Sequence, residues 1–364
     1  PGIFEENEFS SRERFIDHLA TRFHTNKRRP QQINLKMPRD DRIISLPKFD
    51  FVQEVLSLLH DSDLMRPENF VEGYDVYTGT SLDGYDFWFS DSIKEDEMFS
   101  VPTPRDKEKI IHHFYCGTKF QRARDRFCNK PDHMPVPLIL FYDEANVDFF
   151  GGLKSAPIMF SLGLFKNSCR ARLLFWRILA IVPNLSAGKG KSDTASPDDK
   201  AKDHHYILRE ALSELERICN HGGIRTEVNG RKVTLKFWIQ FVIGDTKGHN
   251  ELCGSMNSSQ ANIAMNDCLC TRGNLSDIPL KCQPKTLEMV RKGRSIEDPE
   301  RLEDIGQRDL DNVFDHLPMG HPTRGIHACT LYECLHVFGQ GIYAYIAEAV
   351  GEFMTASKTK KEQK

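Results

Sequence analysis

The chain has 364 residues, 39% hydrophobic and 28% charged, with a formal net charge of −3 at pH 7. That length suffices for two domains, or for one domain with insertions around a packed core. The near-balance of charge excludes nucleic-acid binding driven by global charge, so any such affinity has to come from local patches.

No apolar run reaches the roughly 18 residues that a membrane-spanning helix needs, so no membrane partner is expected. The N-terminus, Pro1-Gly-Ile-Phe-Glu-Glu, has neither the basic start nor the apolar stretch of a secretory leader. An intracellular location is expected, where the 10 cysteines are core residues or metal ligands rather than disulfides.

Residues 1–45 are polar and of mixed charge, with a basic knot at Lys27-Arg28-Arg29, and read as a solvated arm or helix. From Phe51 to Leu59 the residues Val52, Val55, Leu56 and Leu59 share a helical face. Residues 60–104 carry turn formers and an acidic, aromatic tract from Asp83 to Glu97, and read as loop with short strands. Residues 1–104 thus make a polar, helical N-terminal region.

Residues 105–135 are different. Arg105, Lys107, Lys109, Lys119, Arg122, Arg124, Arg126 and Lys130 interleave with Phe114, Tyr115, Phe120 and Phe127. Cations among aromatics suit a phosphate backbone and unstacked bases. They also suit an amphipathic helix with a basic outer face. Lys119, Arg122, Arg124 and Arg126 are the candidate nucleic-acid contacts.

Residues 136–255 read as sheet. Val136–Tyr142 is an apolar strand running into Asp143, and Ala156–Phe165 and Arg172–Val182 are a second and a third. Residues 184–204 read as a flexible insertion. Within it, Gly188-Lys-Gly-Lys-Ser192 fails as a phosphate loop, because Leu185 stands where the first glycine belongs. Tyr206–Cys219 reads as a helix with Ile207, Leu208, Ala211, Leu212, Leu215 and Ile218 on one stripe, and Val233–Ile243 as a fourth strand ahead of Gly244 and Asp245.

A three-strand antiparallel meander, a crossover helix and a parallel fourth strand make a mixed α/β sheet of the ribonuclease H-like plan. In that plan the first and fourth strands are neighbours, so Asp143 and Asp245 would converge. Two close carboxylates repel unless protons or cations compensate, and Mg²⁺ or Mn²⁺ prefers such oxygen ligands. Each acid is equally readable alone as a turn or cap residue.

Beyond 255 the strand pattern stops. Leu331–Val350 reads as a helix with Leu335, Phe338, Ile342, Ile346 and Val350 inward and with Glu333 and His336 sharing a face, followed by a basic tail, Lys358–Lys364. The chain divides into 1–104, 105–135, a core at 136–255, a Cys/His-containing insertion at 256–330 and a C-terminal helix and tail at 331–364.

The segments from Val136 to Asp148, from Pro157 to Gly163, from Gly244 to Gly254 and from Gly325 to Gly341 resemble, in their order and spacing, cut-and-paste DNA transposases. They are most similar to the CACTA group, including the Plavaka-type proteins of fungi and protists, over roughly residues 110–350. The resemblance implies a DDE transposase of a mobile element, with an RNase H-like core that cuts and joins DNA with Mg²⁺ or Mn²⁺. It also implies double-stranded DNA partners (transposon ends and target), a homo-oligomer and a nuclear location. Asp143 and Asp245 match the first two acids. Glu333 matches the third, with Glu348 and Glu352 as rivals. No fifth strand is legible between 255 and 330, which implies a fragment or a degenerate copy; an inactive DNA-binding or assembly module is the alternative. Related transposases insert a zinc knuckle here, so Cys268, Cys270, Cys282, His316 and His321 are candidate Zn²⁺ ligands. The other reading makes the cysteines small buried apolar residues.

Overall fold

A computed structural model of the chain describes residues 29–70, 74–81, 114, 118–146, 154–183, 195–256, 268–271, 273, 283–295 and 299–330. Residues 31–48 are strands rather than the predicted arm or helix: β1 (Gln31–Lys36) and β2 (Ile43–Lys48) pair antiparallel. Leu35 and Leu46 are their buried residues, and that sparse inward pattern is too weak to announce strands. The predicted helix follows as α1 (Phe51–Leu59), capped by the Asp50 carboxylate on the Gln53 N–H.

The basic segment contains α2 (Thr118–Phe127). Then come β3 (His133–Tyr142), β4 (Lys154–Leu162) and β5 (Trp176–Pro183). The third strand starts later than its apolar run, because Asn167–Arg170 and Leu173–Phe175 form short helical turns that bury Cys169 and Phe175. α3 (Pro197–Asn220) starts earlier than its stripe, because Ser196 and Asp199 form a capping box with Pro197 in the first turn. The helix therefore takes up the end of the predicted flexible insertion, whose residues 184–194 lie outside those described. β6 (Ile224–Val228) and β7 (Arg231–Ile243) form a hairpin, and α4 (Thr246–Cys253) follows. α5 (Leu287–Ser295) and α6 (Pro299–Asp304) lie beyond.

The strands form one eight-stranded sheet in the order β1-β2-β5-β4-β3-β7-β6, with Ala145–Asn146 paired to β4. β3, β4 and β5 are antiparallel neighbours; β7, reached through α3, is parallel to β3. β3 is buried at every position except Phe141, as a central strand covered on both faces should be. Neighbours on β7 point to opposite faces: Phe237 meets Phe51 of α1, while Trp238 stacks on Phe127 and tilts against Phe120 of α2.

β6 covers only the first part of β7, from Arg231 to Leu235. Further along, Met319 and Thr330 bridge Ile239 and Val242 in parallel. These bridges lie where a fifth strand would run. Pro318 donates no hydrogen bond, and the 3₁₀ turn Gly325–Ala328 separates the two contacts, so no continuous ladder forms among the described residues.

Candidate functional site

The parallel register ends with Phe141 opposite Ile243. The close approach continues one step: a Cβ on Gly244 would lie 2.3 Å from the Tyr142 carbonyl oxygen. Glycine is needed there by space rather than by backbone angle. Asp143 and Asp245 thus leave adjacent parallel strands, which are spaced about 4.8 Å apart. Both are half-buried. Asp245 is also the N-cap of α4, its Oδ1 accepting the Gly248 N–H at 2.5 Å.

Other groups gather at these strand ends. Lys247 Nζ lies 2.7 Å from Glu144 Oε2 and 3.7 Å from Glu251 Oε1. The Tyr142 hydroxyl lies 2.7 Å from His204 Nε2 of α3. Burial raises the pKa of Glu251, and the charges of Glu144 and Asp245 raise it further against the opposing pull of Lys247. Burial also raises that of Tyr142, with Glu251, Glu144 and Asp245 adding to it. Burial opposes the Lys247 ammonium, yet the neighbouring carboxylates outweigh it and its pKa is raised. His204 is pushed down to about 4, chiefly by burial, and is a neutral ring at neutral pH.

Among the described residues, the carboxylates of Glu144, Asp245 and Glu251 gather around the ammonium of Lys247. The donors are carboxylate oxygens on stiff elements, which suits a hard divalent cation. Among the described residues, however, no group of three or more His, Cys, Asp or Glu side chains is arranged to hold a metal ion. Glu333, Glu348 and Glu352 lie outside the described residues. Glu144, Glu251, Lys247 and His204 do not emerge from sequence reasoning as site residues. The i,i+4 spacing of Lys247 and Glu251 right after Asp245 is the signal that would have found two of them.

Four of the five predicted zinc ligands fall among the described residues. Cys268 and Cys270 are buried, with Cys268 bridging Pro284. Cys282 lies outside the described residues. His316 Nε2 pairs with Asp311 at 2.8 Å on the surface. Burial, followed by the charges of Arg324, Lys119, Arg122 and Arg126, pushes His321 down to about 3. A cationic surrounding of that kind opposes a second positive ion.

The predicted nucleic-acid residues divide. The Lys119 ammonium is committed inward, donating to the carbonyls of Gln240 at 2.8 Å and Ala328 at 2.6 Å. Burial lowers its pKa accordingly. Arg124 donates to the Gly79 carbonyl at 2.9 Å and to Asp125. Arg126 donates to the Met319 carbonyl and lies over the Phe127 ring. Arg122 is exposed.

No protein-family model matches the chain, and no curated protein is detectably similar to it. Among the described residues, no helix is long and apolar enough to cross a membrane.

Proposed function

We propose that the chain is a ribonuclease H-like DDE polynucleotidyl transferase that cuts a DNA strand and joins a 3′-hydroxyl to a target phosphodiester. The supporting observation is the parallel pairing of β3 with β7, which sets the strand ends bearing Asp143 and Asp245 side by side. Asp143 and Asp245 would hold Mg²⁺ or Mn²⁺, with Glu333 as the third acid that the resemblance implies. Bound divalent metal supplies Lewis acidity to the attacking and leaving oxygens of a phosphodiester. The stiff strand ends fix the carboxylates, and Tyr142, braced by His204, fixes the β3 end. Arginines of α2 would take the DNA phosphates. Nuclear location, self-association and a zinc knuckle belong to the same reading.

Asp143→Asn and Asp245→Asn are the test. Asparagine keeps the cap at position 245, so the fold should survive. Each variant is expected to lose Mg²⁺-dependent nicking of a transposon-end duplex by at least about 10³-fold while still binding DNA. Full cleavage by either variant would falsify the assignment.

One observation favours a second reading, a non-catalytic DNA-binding or assembly module: Lys247 already serves as counter-ion to Glu144 and Glu251. Mn²⁺ titration of the wild-type chain separates the two. Binding that is lost in Asp143→Asn supports the enzyme; no binding supports the module.

A further inference from the structure

Lys247 brings a cation to the acidic strand ends and leaves it open to solvent. It lies two residues past Asp245, in the first turn of α4. That position is unfavourable for a lysine, because the helix dipole places partial positive charge at the N-terminus. No acidic residue lies in the same turn to offset it. What holds the ammonium is Glu144 Oε2 at 2.7 Å, just past the end of β3, and Glu251 Oε1 at 3.7 Å, one helical turn further along α4. One ammonium therefore stands between two carboxylates from different elements. The Lys247 side chain is 57% exposed, against 33% for Glu144 and 34% for Glu251, so the lysine faces solvent more than either partner. Ion pairs this exposed hold a lysine weakly, and its long flexible stem lets the ammonium swing away.

We infer that Lys247 is an exchangeable counter-ion: it neutralises Glu144 and Glu251 while no metal is bound, and turns to a phosphate oxygen of the nucleic-acid backbone once a divalent cation supplies that neutralisation. The inference deepens the proposed function and rests on its metal and its DNA. Two carboxylates that face one point repel each other unless a cation stands between them. A divalent ion answers that repulsion more strongly than an ammonium does, and it prefers the same oxygen donors. A released ammonium is a compact point charge with three donors, and a phosphate oxygen is an acceptor that matches it. The place suits this partner. Asp245 caps α4 and Lys247 follows in the first turn, so the lysine and the acid proposed to act on the phosphodiester share one rigid strand end.

The test is fluorescence anisotropy of a labelled duplex with the full chain, first in EDTA and then in Ca²⁺, with the duplex checked as intact afterwards. Salt is varied from about 50 to about 200 mM in each buffer. In EDTA, Lys247→Gln should match the wild type in the slope of log K against log salt, because the ammonium is committed to Glu144 and Glu251. In Ca²⁺ the variant should bind about 5- to 10-fold more weakly than the wild type at low salt, with a slope smaller by about 0.9, the loss of one phosphate contact. A slope reduced equally in both buffers overturns the inference, since Lys247 is then an ordinary surface contact. A slope unchanged in both overturns it as well, as does poly-glutamate that displaces the duplex in Ca²⁺ as effectively as unlabelled duplex. A wild-type chain that binds no duplex in either buffer removes the inference together with the DNA reading. The readout is binding rather than cleavage. Cleavage by Asp143→Asn at the wild-type rate therefore defeats the catalytic assignment alone, and the Ca²⁺-dependent slope still decides the role of Lys247.

Discussion

The acids at the strand ends and the cysteines and histidines after them are equally prominent in the sequence, and the fold treats them differently. Asp143 and Asp245 extend two hydrogen-bonded strands, so backbone register alone sets the two strand ends side by side. Cys268, Cys270, His316 and His321 sit on short connecting segments, where each side chain takes the environment its own loop offers. The two thiols are buried, His316 pairs with Asp311 at the surface, and His321 faces cations.

The largest test of that contrast is Gly244→Ala. Its methyl would meet the Tyr142 carbonyl at 2.3 Å, with backbone on both sides of the clash. A loss of about 3 kcal/mol or more is expected in denaturant unfolding. A near-neutral result would mean that the two strand ends are not in register.

Acidification comes next. His205 is buried, its Nε2 on the Glu251 carbonyl at 3.0 Å, and its pKa is pushed down to about 3, first by burial, then by His204 beside it and by Arg294 and Arg209, against the opposing pull of the Glu251 carbonyl. His204 stands at about 4. Both folded values lie below the unfolded value of about 6.5. Their contribution is therefore full above about pH 6.5 and is lost as pH falls toward 4 and then 3, with a slope approaching about 1.4 kcal/mol per unit for each ring. Glu251 acts oppositely, because its raised pKa favours the folded state as the carboxyl protonates. Melting temperatures from about pH 7.5 to about pH 4 should fall, and His205→Gln should flatten the curve. A flat wild-type profile would contradict this burial.

A smaller effect is expected from Cys270→Ser, about 1–2 kcal/mol, because Cys270 is buried and the hydroxyl has to be desolvated there. If the proposed zinc knuckle is present, a chelator should lower the wild-type melting temperature; an unchanged value would remove zinc from the reading. The smallest is Lys247→Met, within about 1 kcal/mol because the lysine is more than half exposed. Its value lies in the Mn²⁺ titration: affinity that rises in this variant means that the ammonium and the metal compete for the same carboxylates.

Much of the framework is legible along the chain. α1 forms where the apolar spacing predicts, although its buried face is Phe51, Glu54, Val55, Leu58 and Leu59, so that of the predicted stripe only Val55 and Leu59 are buried and Val52 and Leu56 are not; β3 and β7 follow largely apolar runs, because periodicity and run length survive in one dimension. The hairpin β1–β2 is not legible, since few of its residues face inward. The start of α3 is hidden because a polar first turn resembles a loop; the Ser196–Asp199 box is the available sign. Lys119 reads as surface charge in the sequence, because its burial depends on carbonyls from Gln240 and Ala328, far away in the chain.

By itself the sequence determined where the strands end, and that aspartates follow two of them, because apolar runs and their acidic stops are local properties. Only the tertiary structure decided which charges meet. It set Lys247 between Glu144 and Glu251, and drew His321 and Arg324 toward α2, because strand pairing and carbonyl contacts join segments that no local pattern relates.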